Sequence, residues 1–210
     1  MIRVILVDDH AIVRRGVRQI VAGQEGIEVV GEAGDYGELL TRLREVECDV
    51  VLLDIALPGK NGIEVLKSLR ERNPRLRVLM FSTYPEDQYA VRALKAGASG
   101  YLNKASAPEQ VAEAIRLVAQ GRRYITPEVA ESLAASLAEP ETRKPHELLS
   151  DREFQTLRLI ASGRKLSEIA EELSLSPKTV SVYRARVLAK LKLRTNTEIA
   201  RYAVTHELIE

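Results

Sequence analysis

The chain has 210 residues, 45% hydrophobic and 29% charged, with a formal net charge of +1 and one cysteine. This is the composition of a soluble globular protein of one or two domains. The lone thiol, Cys48, excludes an internal disulfide and fits a reducing cytosol, and no segment approaches the ~20 apolar residues that span a bilayer, so no membrane partner is expected.

Met1-Ile2-Arg3 leads straight into a strand-like run, without the charged and long apolar regions of a secretory signal, so a cytoplasmic location is expected. Further strand-like runs follow Arg3–Val7 at Ile27–Ala33, Val50–Leu53, Arg77–Phe81 and Gly100–Leu102. Amphipathic helical patterns separate them, among them Ala11–Ala22 and Pro108–Gln120. Alternating strands and helices with near-continuous apolar strands predict an α/β doubly wound, five-stranded parallel sheet covered on both faces. Glu28 and Glu32 put the second strand at an edge, consistent with the flavodoxin-like order 2-1-3-4-5.

After Gly121 the pattern changes. Thr126 is suited to N-cap a helix that opens on Pro127 and runs to about Ala138, and the charged, Pro-flanked stretch Glu139–Pro145 reads as a linker. The rest is all α: Asp151–Ser162 capped by Ser150 with Glu153 three residues on, Leu166–Leu173, Pro177–Leu191 capped by Ser176, and Thr197–Thr205. The expected domains are 1–121, a linker with a short helix over 122–146, and a helical domain over 147–210.

Asp8 and Asp9 end the first strand, Asp54 the third, Ser82 the fourth, and Lys104 closely follows the fifth. In an open parallel sheet these ends share one edge, so the groups converge in a crevice. Crowded carboxylates raise one another's pKa unless a cation is present. Mg²⁺, which prefers oxygen ligands and keeps exchangeable waters, resolves that conflict. One carboxylate oxygen could then attack a phosphoryl donor, with Lys104 neutralising the transferred group and the Ser82 hydroxyl donating to it. The plainer reading, that these aspartates are turn formers or helix caps, suits any one of them but not their coincidence at several strand ends.

The near-neutral net charge hides an asymmetry. From Ser176 to Arg194 the chain carries Lys178, Arg184, Arg186, Lys190, Lys192 and Arg194 with no Asp or Glu. Two helices joined by a short turn through Ser174-Leu175 have helix-turn-helix spacing. Val180, Val187, Leu188 and Leu191 are expected to pack inward, leaving Lys178, Thr179, Ser181, Val182, Arg184, Ala185 and Lys190 to approach DNA. Lys178, Arg184 and Lys190 would mainly meet phosphates, with Ser181, Val182 and Ala185 nearer the groove floor. Arg186 is left without a role, the partner helices being its expected neighbours. A merely solvated basic face is the competing reading.

Leu6-Val7-Asp8-Asp9-His10, Leu53 to Gly59, Phe81-Ser82 and Gly100-Tyr101-Leu102-Asn103-Lys104 resemble, in order and spacing, the motifs of a response-regulator receiver domain. Leu149 to Glu153, Gly163, Glu168-Ile169-Ala170, Leu175 to Val180 and Lys190-Leu191 resemble a LuxR-type DNA-binding domain. Together they are similar to the NarL/FixJ class of two-component response regulators, and the run Ser176 to Arg186 to its UvrY/GacA and BvgA-like branch.

The resemblance implies Asp54 as phospho-acceptor and Mg²⁺ held by Asp8, Asp9, Asp54 and the backbone carbonyl of Ala56. It implies Lys104 on the phosphoryl group and Ser82 with Tyr101 as a switch pair. A sensor histidine kinase, promoter DNA, a homodimer on phosphorylation and RNA polymerase are the implied partners. Ser82 stands where Thr is common and Thr83 follows it, so both hydroxyls are candidates. Tyr183 replaces a frequent His, Ser181 and Ala185 stand where some members carry Lys, and Lys165-Leu166-Ser167 replaces a common Ser-Asn-Lys, so no target sequence carries over.

Two other readings compete. A phosphatase or mutase with an aspartate nucleophile usually has a second Asp two residues on, where this chain has Ala56. A phosphorylation-independent regulator would not need Asp8, Asp9, Asp54 and Lys104 together.

Overall fold

The computed structural model describes residues 1–138 and 144–209, without the side chains of 135–138, and divides into two units, Met1–Ala134 and Ala135–Glu210. In the first, β1 (Ile2–Val7), β2 (Ile27–Ala33), β3 (Val50–Leu53), β4 (Arg77–Ser82) and β5 (Gly100–Asn103) form a parallel sheet in the order β2-β1-β3-β4-β5, as expected. The connecting helices are α1 (Ala11–Ala22), α2 (Tyr36–Glu45), α3 (Gly62–Arg72), α4 (Glu86–Lys95) and α5 (Pro108–Ala119).

Side chains alternate across a strand, so one set faces each layer of helices. Val4, Leu6, Val50, Leu52, Leu79, Phe81 and Leu102 share a core with Val17 and Val21 of α1 and Val111, Ile115 and Val118 of α5. The alternate residues Ile5, Val7, Val51, Leu53, Val78 and Met80 are buried too, which requires cover on both faces. Each such Val, Ile or Leu contributes about 1.5–3 kcal/mol by leaving water. This is why β3 is wholly apolar until Asp54.

Both edges of the sheet are protected. On β2, Glu32 is held by Arg14 and Arg18 of α1. On β5, Tyr124 forms a parallel bridge with Gly100, its N–H donating to the Ser99 carbonyl (3.0 Å) and its carbonyl accepting from the Tyr101 N–H (3.3 Å). Cys48 is partly buried with its Sγ 3.1 Å from the Val50 carbonyl, and burial raises its thiol to about 11, so it is an inert packing thiol.

α6 (Pro127–Ala138) opens as expected, with the Val129 N–H reaching Thr126 Oγ1 (3.4 Å). Of the linker expected at Glu139–Pro145, residues 139–143 lie outside the described residues. Lys144 and Pro145 instead lead a 3-10 turn, Pro145–Leu148, that periodicity did not reveal. In the second unit α7 (Asp151–Ala161), α8 (Leu166–Glu172), α9 (Pro177–Leu191) and α10 (Asn196–Thr205) enclose Phe154, Leu157, Ile169, Val180, Val187, Leu191, Ile199 and Ala203. Ser150 and Glu153 form a reciprocal capping box on α7, and Ser176 caps α9.

Candidate functional site

The crevice is built where hydrophobic strands run out. The Asp8 N–H donates to the Ala33 carbonyl (3.0 Å), and the Asp54 N–H to the Val7 carbonyl (2.9 Å), so the ladder itself fixes both carboxylates at the carboxyl edge. The chain after Asp54 turns back so tightly that a Cβ at position 62 would overlap the Asp54 carbonyl. Glycine is therefore required at position 62, even though its φ is ordinary.

Lys104 joins the two aspartates. Its Nζ lies 2.6 Å from Asp8 Oδ2 and 2.8 Å from Asp54 Oδ2, and the three side chains are only 9%, 5% and 2% exposed. Burial alone would lower the lysine pKa, but Asp54 and Asp8 outweigh it and hold the ammonium above its ordinary value. Asp54 Oδ1 accepts from the Ile55 N–H (2.7 Å). Asp8 Oδ1 accepts from the His10 N–H (2.9 Å), whereas its buried Oδ2, although charge-paired with Lys104, receives no aligned hydrogen bond among the described residues.

Asp9 is more exposed, and His10 Nδ1 stands 2.7 Å from its Oδ1 and 3.4 Å from Asp8 Oδ1. Asp8, Asp9 and His10 thus form a group able to hold a metal ion. His10 was not singled out from the sequence, although the consecutive Asp8-Asp9-His10 was a visible signal. Three carboxylates against one ammonium leave excess negative charge, and carboxylate oxygens are the hard donors that Mg²⁺ prefers, so the residues fit that ion.

Ser82 is fully buried at the end of β4, opposite Asn103, and its carbonyl accepts from the Lys104 N–H (2.9 Å). Thr83 is exposed. Of the two candidate hydroxyls, only Ser82 therefore lies in the ladder next to the lysine. Tyr101 is also fully buried, its Oη donating to the Tyr84 carbonyl (2.7 Å), and burial raises its phenol well above the ordinary value. Ala56 sits in the partly buried β3–α3 turn.

On α9, Val180, Val187 and Leu191 pack inward as expected, and Leu188 is half-buried. Lys178, Ser181, Val182 and Ala185 are exposed together, with Val182 44% exposed. Thr179 is half-buried and its hydroxyl lies 2.8 Å from Ser176 Oγ, so it completes the cap. Arg184 Nε donates to Asn196 Oδ1 (2.6 Å). Lys190 Nζ is 2.6 Å from Glu153 Oε2 and also donates to the Leu148 carbonyl (3.3 Å). Arg186, expected beside the partner helices, is exposed one helical turn beyond exposed Val182, and its side chain makes no hydrogen bond or ion pair among the described residues.

Sequence reasoning also missed His146, buried in the 3-10 turn with Nδ1 3.1 Å from Tyr202 Oη and its ring edge-on to Tyr202 and His206. Phe154 is a nearby ring neighbour, but Tyr202 and His206 lie more than 50 residues on, so no local pattern marks that contact. No helix among the described residues is long and apolar enough to cross a membrane.

Residues 4–116 match the family described as "Response regulator receiver domain", and residues 147–203 the one described as "Bacterial regulatory proteins, luxR family". The chain is 40% identical over 211 residues to the response regulator GacA of Pseudomonas viridiflava, covering 100% of this chain and 99% of GacA. It is 41% identical over 209 residues to the response regulator UvrY of Escherichia coli K12, covering 99% of this chain and 96% of UvrY. Among solved structures, a two-component response regulator of the LuxR family from Aurantimonas sp. SI85-9A1 superposes with a TM-score of 0.59 at 39% identity, over 65% of this chain and 98% of that one. RcsB from Salmonella enterica serovar Typhimurium, bound to promoter rprA in the presence of the phosphomimetic BeF3-, gives a TM-score of 0.65 at 26% identity, over 96% of this chain and 97% of that one.

Proposed function

The chain belongs to the response regulators that join a receiver domain to a LuxR-type DNA-binding domain, and on that premise we propose that Asp54 accepts a phosphoryl group from a sensor histidine kinase and that this promotes dimerisation and promoter binding. The family regulates transcription; the chemistry on Asp54 is the chain's own half of a transfer, not turnover of a metabolite. Residues 1–121 are read as the receiver, 122–146 as the linker and 147–210 as the DNA-binding domain.

The observation that carries this reading is the single ammonium of Lys104 held between Asp8 and Asp54. A buried carboxylate is kept anionic, hence nucleophilic, by a neighbouring cation. In the transfer an Asp54 Oδ forms the new O–P bond while the P–N bond to the kinase imidazole breaks, the electron pair staying on nitrogen. Lys104 then neutralises a phosphoryl oxygen, and Ser82 turns its hydroxyl to another. Asp8 and Asp9, with Asp54 and the Ala56 carbonyl, are the groups that would hold Mg²⁺, which when bound supplies positive charge to the phosphoryl oxygens.

Phosphorylation can favour an active form only through contacts better made there. Ser82 and Tyr101 are suited to this, because the Tyr101 phenol is tied to the Tyr84 backbone just beyond Ser82. In the second unit, the exposed face of α9 is read as entering the major groove, with Ser181, Val182 and Ala185 nearest the bases. The chemistry suits a cytoplasmic protein whose partners are a sensor kinase, promoter DNA and RNA polymerase. Intact-mass measurement after acetyl phosphate and Mg²⁺ tests the acceptor: a single phosphate adduct is expected on wild type and none on Asp54→Asn, and an undiminished adduct on that variant overturns the assignment.

A further inference from the structure

Among the helical residues of α9, Lys178, Arg184, Arg186 and Lys190 carry positive charge, and the structure divides them into two kinds. Arg184 and Lys190 are committed inside their own unit, to Asn196 and to Glu153. Lys178 and Arg186 are exposed and make no hydrogen bond or ion pair among the described residues.

The commitment of Lys190 is strong. Glu153 is 3% exposed, and the same Oε2 that takes the ammonium accepts the Ser150 N–H (2.8 Å) that starts α7. Burial would raise this carboxyl, but the hydrogen bonds from Lys190 and Ser150 outweigh it and hold it below the usual range. Moving Lys190 to a phosphate would strip a buried carboxylate of its counter-charge, a larger loss than one screened phosphate contact returns. The pair instead fastens the last turn of α9 to the first turn of α7. Arg186 has the opposite setting. It stands one turn beyond Val182 on the exposed face, beside Ala185 and Ala189, whose small side chains let a duplex approach closely.

Resting on the reading of α9 as the recognition helix, we propose that Arg186 contacts the DNA backbone directly and that Lys190 serves DNA binding only as a positioning residue, through Glu153. The two roles separate by salt. A cation on a phosphate releases counterions and adds about 0.9 to the slope of log affinity against log salt, whereas a residue that only orients the helix lowers affinity at unchanged slope.

The experiment uses the full chain with Mg²⁺ and beryllofluoride, titrated over a salt series against a mixed-sequence duplex and a duplex selected from a random pool by the wild type. Arg186→Ala is expected to weaken both by about ten-fold and to reduce the slope by about one unit. Lys190→Gln is expected to weaken binding with the slope unchanged, Glu153→Gln to do the same, and Lys190→Arg, which keeps the pair, to restore binding. A slope lowered by about one unit in Lys190→Gln makes Lys190 a phosphate contact and overturns its positioning role. Lys178→Ala is the control: if it weakens binding while Arg186→Ala does not, the Arg186 assignment is overturned alone. If neither variant changes affinity or slope, the docking of α9 fails, and this inference with it.

Discussion

A Cβ on Gly100 would stand 2.5 Å from the carbonyl oxygen of Tyr124, closer than any side-chain carbon sits to a backbone oxygen, so the bridge that closes the β5 edge exists only because position 100 is glycine. Gly100→Ala must push Tyr124 away and break the hydrogen bonds with Ser99 and Tyr101. A loss of about 1–3 kcal/mol of first-unit stability is expected, with faster hydrogen exchange at the Tyr101 and Tyr124 amides. Unchanged exchange at both amides would show that the bridge contributes nothing to holding the segment after Gly121.

Lys104→Met leaves Asp8 and Asp54 buried without their shared cation. Removing one partner of such a set costs about 3–5 kcal/mol at neutral pH. Added Mg²⁺ is expected to raise the thermal midpoint of this variant more than that of wild type, because the ion replaces the missing charge. Equal shifts in both proteins, read by differential scanning calorimetry, would remove Asp8 and Asp54 from the ion's surroundings.

Ser82→Ala is expected to accept phosphate on Asp54 yet to lose most of the phosphorylation-induced change, while Thr83→Ala behaves as wild type. Ser82 is buried with its carbonyl on the Lys104 N–H, whereas Thr83 is exposed, so Ser82 is the hydroxyl better placed for the role. Chemical-shift changes on beryllofluoride addition report the difference, and a silent Thr83→Ala spectrum with a normal Ser82→Ala response reverses the assignment.

The pair of Glu153 and Lys190 sets an acid response of the second unit. A carboxyl held below its ordinary value contributes stability that is fully present above that ordinary value and is lost as pH falls through the lowered one. Amide protection in α7 and α9, taken relative to the intrinsic exchange rate at each pH, is therefore expected to fall below the ordinary glutamate range, and this acid-dependent part should disappear in Glu153→Gln. An identical acid profile in the variant would assign the response to other carboxylates.

Activated protein is expected to sediment as a dimer, through the receiver, α6 or α10, since a two-fold protein reads paired half-sites. A sharp monomer at high concentration that still binds DNA as a monomer would refute this.

Local patterns made most of the architecture legible from the residues alone. The apolar runs that end in Asp8 and Asp54 marked β1 and β3, Ser150 with Glu153 and Ser176 marked the starts of α7 and α9, and Glu32 put β2 at an edge. Each of these signals lies within a few residues of the feature it sets, because backbone periodicity and capping act over one or two turns. Convergence of Asp8, Asp54 and Lys104 also followed, since parallel strands bring their carboxyl ends to one edge. What only the tertiary structure decided is which charge meets which. Lys190 and Arg186 look alike in sequence, four residues apart on one helix, and position on α9 does not tell a tied cation from a free one. Glu153, 37 residues upstream, makes that choice, because a buried carboxylate captures the nearest ammonium once packing brings α7 and α9 together. His146 with Tyr202 and Gly100 with Tyr124 are of the same kind: contacts set by chain packing, for which neighbouring residues carry no mark.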